Sequence, residues 1–233
     1  MRKTIHLCSR IPGIDHARYD EILRTSHIPI ALKHHPALRR YVVNVVEQAP
    51  LPPPRELDSV GELSFESMAD WESRLYDSPQ GKEIVQRDVA TFLGAADQYE
   101  CSEIVHRSPH RAGPLIDRAP RRSPGVKLVL LLWRKPEMSH EEFVRYWVDR
   151  HAPIVLEHGT HLSGYIQNVV DRRLSTRGEP YDGIAELHYA SEQDFATQLA
   201  SHGQSPNPVQ EDTANFVGGM HVLRLAEYVA KLP

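Results

Sequence analysis

The sequence predicts an α+β protein made of two ferredoxin-like βαββαβ repeats packed sheet to sheet as one intrachain α+β barrel. Three observations predict it. The chain repeats itself in one register. Each copy reads as strand, helix, strand, strand, helix, strand. The sheet that this order builds has a bare face carrying Val and Leu positions, and the other copy is at hand to cover it.

The repeat comes first. Shifting the chain by 124 positions superposes Lys3 to Val105 on the second half without gaps. His27, Pro29 and Ile30 meet His151, Pro153 and Ile154; Tyr41, Asn44, Val45 and Val46 meet Tyr165, Asn168, Val169 and Val170. Asp88 and Phe92 meet Asp212 and Phe216. The domains expected are therefore residues 1–107 and 126–233. The segment 108–125 between them is rich in Pro, Arg and Gly, lacks an apolar period, and reads as a solvated linker.

Within a copy, the apolar run Val126 to Arg134, interrupted by Lys127, reads as a buried strand, and Lys3 to Arg10 is its counterpart. Ser139 and Glu142 have capping-box spacing ahead of a helix whose stripe holds Phe143 and Trp147. Asp15 is the cap candidate in the first copy. Pro153 and Pro29 are expected to end these helices near His151 and His27. Strands follow at about 40–47 and 60–65, and at about 164–171 and 183–189. Helical stretches follow at 68–94 and 192–218, broken near Ser78-Pro79 and Ser205-Pro206. Last strands are expected at about 98–106 and 222–230.

Composition removes several function classes. The formal net charge is −4, so the chain as a whole is not built for nucleic acid. No apolar run approaches the roughly 20 residues of a membrane span. The start, MRKTIHLCSR, has no apolar core of signal-peptide type, which points to the cytoplasm. Cys8 and Cys101 sit in strands and read as small buried hydrophobes. No phosphate-binding glycine motif or nucleophile elbow is present, so no nucleotide cofactor is indicated. His34, His35, His158 and His161 follow the first helix of each copy, but their spacing fits no zinc pattern; no metal and no cofactor are expected.

The segment RKPEMSHEEFVRYWVDRHAPIV followed by YIQN resembles the EthD family. The first copy carries the pattern more weakly, with Leu23 for the tryptophan, Ile28 for the alanine after the histidine, and Val43 for the glutamine. The resemblance implies a dimeric α+β barrel, here as a pseudo-dimer within one chain, with room for a further homodimer. It implies varied chemistry: cofactor-free decarboxylation, dehydration or lactone isomerisation, and in distant relatives oxygenation or haem chemistry. Fold alone does not fix which.

Candidate chemistry centres on His27 and His151, which can exchange protons near neutrality; the competing role is a cap on the helix C-terminus. Asp88 and Asp212 sit among apolar helix residues and would orient these histidines or lock helix to sheet. Asn44 and Asn168, with Tyr41 and Tyr165, would hold a developing oxyanion, or else satisfy loops and pack in the core. Trp147 is both core stripe and a substrate-contact candidate. Glu186 and His188 share a strand face and form an acid–base candidate found only in the second copy, since Ser64 replaces the histidine in the first; a solvated sheet edge is the other reading. Two functions follow. One is a cofactor-independent lyase or isomerase acting on an aromatic, polyketide-like or lactone metabolite. The other is a small-molecule-binding protein without chemistry.

Overall fold

The computed structural model describes residues 1–111, 120–202 and 207–233. The first half holds β1 (Arg2–Arg10), α1 (His16–Ile22), a π-helical turn (Leu23–His27), α2 (Ile28–His34), β2 (Arg40–Leu51), β3 (Ser59–Phe65), α3 (Met68–Ser73), α4 (Pro79–Val89) and β4 (Leu93–Arg107). A short strand, β5 (Arg121–Arg122), precedes the second half. That half holds β6 (Val126–Arg134), α5 (His140–Tyr146), a π turn (Trp147–His151), α6 (Ala152–His158), β7 (Leu162–Arg173), β8 (Gly183–Tyr189), α7 (Glu192–His202), α8 (Pro208–Phe216) and β9 (Val217–Lys231).

All strand pairs are antiparallel, in the order β2-β3-β1-β4-β7-β8-β6-β9, and β2 also pairs with β9. The sheet therefore closes on itself as an eight-stranded barrel. This refines the sheet-to-sheet expectation: the halves are stitched edge to edge at β4–β7 and β2–β9 as well as facing one another. Closure satisfies the edge N–H and C=O groups that two stacked sheets would leave open.

Side chains alternate across the wall. Ile5, Leu7, Val129, Leu131, Leu223 and Leu225 fill the barrel interior. Tyr19, Leu23, Tyr41, Val43 and Phe92 pack between the sheet and helices of the first half. Phe143, Trp147, Val169 and Phe216 do so in the second.

The helix starts obey the sequence. Asp15 accepts from the Arg18 N–H at 2.7 Å. Ser139 and Glu142 form the capping box. The helix ends do not obey it. Neither helix stops at its histidine; each runs on past the proline through a π turn. The amide of Ala152 reaches back five residues to the Trp147 carbonyl, and that of Ile28 to the Leu23 carbonyl. A proline lacks the N–H of an α-helical turn and crowds the carbonyl four residues before it. Widening the turn accommodates both problems without ending the helix.

The linker expectation is also corrected. Residues 112–119 lie outside those described, but Arg121 and Arg122 pair with β9, and Arg111 enters the barrel. The first-half break at Ser78-Pro79 is present between α3 and α4. The break at Ser205-Pro206 falls outside the described residues. Among those described, no helix is long and apolar enough to cross a membrane.

Candidate functional site

The barrel wall divides the candidate residues into two groups. Glu186, His188, Asn44 and Asn168 point inward. His151, Asp212, Tyr165 and Trp147 lie outside, beneath the helices of the second half; His27, Asp88 and Tyr41 take the matching places in the first.

Inside, charge is arranged with the symmetry of the repeat. Lys3 lies 2.8 Å from Glu62, 2.6 Å from Glu186 and 2.9 Å from Glu103. Its counterpart Lys127 lies 2.9 Å from Glu186, 2.5 Å from Glu62 and 3.0 Å from Glu227. Arg111 adds contacts to Glu186 at 3.3 Å and Glu227 at 3.2 Å, and Arg40 to Glu103 at 2.5 Å. Among the described residues, four carboxylates thus meet four cations. Burial alone would raise the carboxyl pKa values, but the neighbouring ammonium groups outweigh it and hold Glu62 and Glu186 well below their ordinary value. Glu227 is held at about 2 in the same way, against burial, by Lys127 and Arg111. Asn44 and Asn168 donate to Glu62 and Glu186, each at 2.9 Å.

Glu186 is therefore not a solvated edge residue but a member of the interior ionic network. His188 stands 3.5 Å from Glu186, and burial lowers its pKa against the pull of that carboxylate. Asn168 cannot serve the same oxyanion as Tyr165, because three residues along a strand reverse the face. Two clusters of the described residues have cation-ligand spacing, Glu186–His188–Glu227 and Glu62–Glu103–Glu186. Both surround the lysine ammonium groups. The network was missed in the sequence, although Lys127 interrupting an apolar strand, with Lys3, Glu62, Glu186, Glu103 and Glu227 kept in register, was its signal.

Outside the wall lies a cavity of about 600 Å³ between the sheet of the second half and its helices. Trp147, Tyr165, Phe216 and Leu130 line it, with His151, Gln198, Gln210 and Thr213 among its few polar groups. No Lys, Arg, Asp or Glu is among its described lining residues. Leu51 and Leu199, half exposed, also belong to it.

His151 closes the π turn, and its Nδ1–H donates to Asp212 Oδ2 at 2.7 Å. Asp212 also accepts from the Tyr146 hydroxyl at 2.8 Å, which steadies the carboxylate. This tautomer leaves Nε2 with the ring's lone pair, on a residue that lines the cavity. Burial lowers the His151 pKa, with the Asp212 hydrogen bond opposing it, which favours the neutral ring.

The first half keeps the dyad, His27 Nδ1 to Asp88 at 2.8 Å, with Ser26 as the second donor. Its surroundings differ. His6 stands where the second half has Leu130, Trp71 where it has Phe195, and His35 where it has Gly159. His6 and Trp71 meet edge to face at 5.1 Å, and Trp71 and Leu75 pack on the core. His35 donates to the Leu75 carbonyl at 3.0 Å. His34, in the last turn of α2, donates to Asp77 at 3.0 Å. Both cysteines are buried thiols.

Comparison with known proteins gives fold and family. The chain covers 99% of itself and 95% of a candidate monooxygenase from Lactobacillus acidophilus NCFM, with TM-score 0.55 and 11% identity. It matches an anthrone oxidase-like protein with TM-score 0.63 and 12% identity, over 98% of this chain and 93% of that one. A chlorite dismutase variant from Candidatus Nitrospira defluvii matches with TM-score 0.53 and 9% identity, over 97% and 90%. At such identities the likeness is one of fold. No curated protein sequence matches the chain. The EthD domain model matches twice, over residues 11–96 and 135–219, one match in each repeat, and the chain belongs to the EthD family.

Proposed function

We propose that the second-half cavity binds a neutral, largely apolar metabolite and that His151 takes a proton from it. The observation that carries this is the His151–Asp212 pair at the edge of an apolar cavity. A neutral imidazole with its Nδ1–H engaged presents one lone pair, which is what a general base needs. The carbon–hydrogen bond breaks, the proton passes to Nε2, and the electron pair moves onto a conjugated oxygen of the substrate. Tyr165, a residue of the cavity lining, is the donor to that oxygen in this proposal. Expelling a leaving group or returning the proton elsewhere completes a cofactor-free lyase or isomerase reaction. In the same proposal each repeat is a ferredoxin-like unit, supported by the strand order β2-β3-β1-β4 and its match β7-β8-β6-β9. A second chain, if it pairs, must use surfaces other than these sheet edges, which the barrel already consumes.

The solved structures described as oxidase-like and monooxygenase favour a second reading, in which the same anion is oxidised by O2. Both readings share the first step. Anthrone, a neutral tricyclic carbon acid, is a suitable probe. Without oxygen and in D2O, the protein should speed deuterium entry at its methylene carbon. His151→Ala should lower that rate by about 10²-fold or more, the usual weight of a general base. His27→Ala should change it little. The rate should rise with pH through a limb below the ordinary histidine value, since burial lowers the His151 pKa. Folded His151→Ala protein with undiminished exchange would discard the base and leave a binding protein.

A further inference from the structure

The cavity of the second half contains a residue of the first half's last strand in its supporting shell. His106 lies on β4 where it pairs with β7. Its Nε2 is 2.9 Å from Gln167 Oε1. Gln167, fully buried, donates its two amide hydrogens to the Tyr165 hydroxyl oxygen at 2.8 Å and to the Trp147 carbonyl at 3.0 Å. With both N–H groups spent, Oε1 must accept, so His106 Nε2 is the donor. The imidazole also stacks on the Tyr165 ring at 5.2 Å and 24°.

We propose that His106 and Gln167 are positioning residues that aim the Tyr165 hydroxyl proton into the cavity and tie it to the π turn carrying His151. Because Tyr165 accepts from Gln167, its own O–H is the group left to give. The Trp147 carbonyl receives the Ala152 amide of the π turn as well as Gln167, so one side chain registers both the donor and the turn of the base. The first half has Val43 where the second has Gln167, and Ala230 stands where its counterpart of His106 would be. Tyr41 therefore has no such relay, although the first half forms its own π turn without one. The relay acts on the tyrosine rather than on the turn's existence.

This inference rests on the proton-transfer reading for its kinetic consequence but not for its structural one, and the test separates them. Tyrosine labelled with ¹³C at the ζ carbon, with Tyr165 assigned by Tyr165→Phe, reports the hydrogen bonds of that phenol in the free protein. Gln167→Val, which installs the first half's own residue, and His106→Ala should both move the Tyr165 resonance. His106→Gln, which keeps an N–H donor of similar reach, should restore it. In anthrone exchange the first two variants should lose roughly 10–100-fold in kcat, the scale of a misplaced catalytic group. KM should stay within about twofold, as for an interaction made in the transition state. An unmoved Tyr165 resonance in both folded variants overturns the relay. So does failure of His106→Gln to restore it. A wild-type protein that does not exchange anthrone overturns the proton-transfer reading, while the resonance still decides the relay.

Discussion

Lys127→Met is expected to destabilise the protein by about 3–5 kcal/mol, the usual result of removing one partner from a buried ion pair. Lys127 is 2% exposed and its ammonium group contacts Glu62, Glu186 and Glu227. Its loss leaves four interior carboxylates against three cations, and methionine supplies length but no donor. Chemical denaturation measures the effect. A loss below about 1 kcal/mol would show that Lys3 and Arg111 can shift to cover the vacancy, since a loss that small is what surface changes give. Adding Glu227→Gln should recover part of the stability, because neighbours in one ionic network are not additive. The same network sets the acid limb. Glu227 titrates at about 2 in the fold against 4.5 ordinarily. Its stabilisation is therefore in place above about 4.5 and falls away as pH drops toward 2. Unfolding free energy measured down this range should decline, and a flat profile would show that the ion pairs do not stabilise the barrel.

Trp147→Ala is expected to lower stability by about 3–5 kcal/mol, the range for emptying a large aromatic site in a core. The indole is 1% exposed and lies 5.5 Å from the Phe143 ring. A Cβ on Gly183 would collide with it, so the strand beneath has given up its side chain to seat the ring. The first half has the smaller Leu23 at the position of Trp147, and Ser59 at the position of Gly183. Because Trp147 also lines the cavity, its removal enlarges the space open to ligand. Denaturation showing less than about 1 kcal/mol of loss would mean the cavity walls close over the gap.

Much was readable from the chain alone. The 124-residue register marked the duplication, and strand alternation with cap chemistry at Asp15 and Ser139 located the elements, because these are local or periodic properties. The pairing of Asp212 with His151 was within reach as well, since an acid on an apolar helix face needs a partner. Other features depended on contacts between segments distant in sequence. Proline rules end the helix before Pro153, but in both halves a π turn packed against the sheet carries it on. Face parity separates Asn168 from Tyr165, yet only barrel closure shows that one side is an ionic interior and the other a ligand cavity. Arg111 looked like a linker charge and became a counter-ion, because interior carboxylates on three strands drew it inward. The cavity is lined by Gly159, Phe195 and Leu130, where the first half has His35, Trp71 and His6, and the meaning of those differences appears only when helices and sheet meet. Local sequence specifies which elements form; the space and charge left between them are sums over the whole fold, and those only the tertiary structure decides.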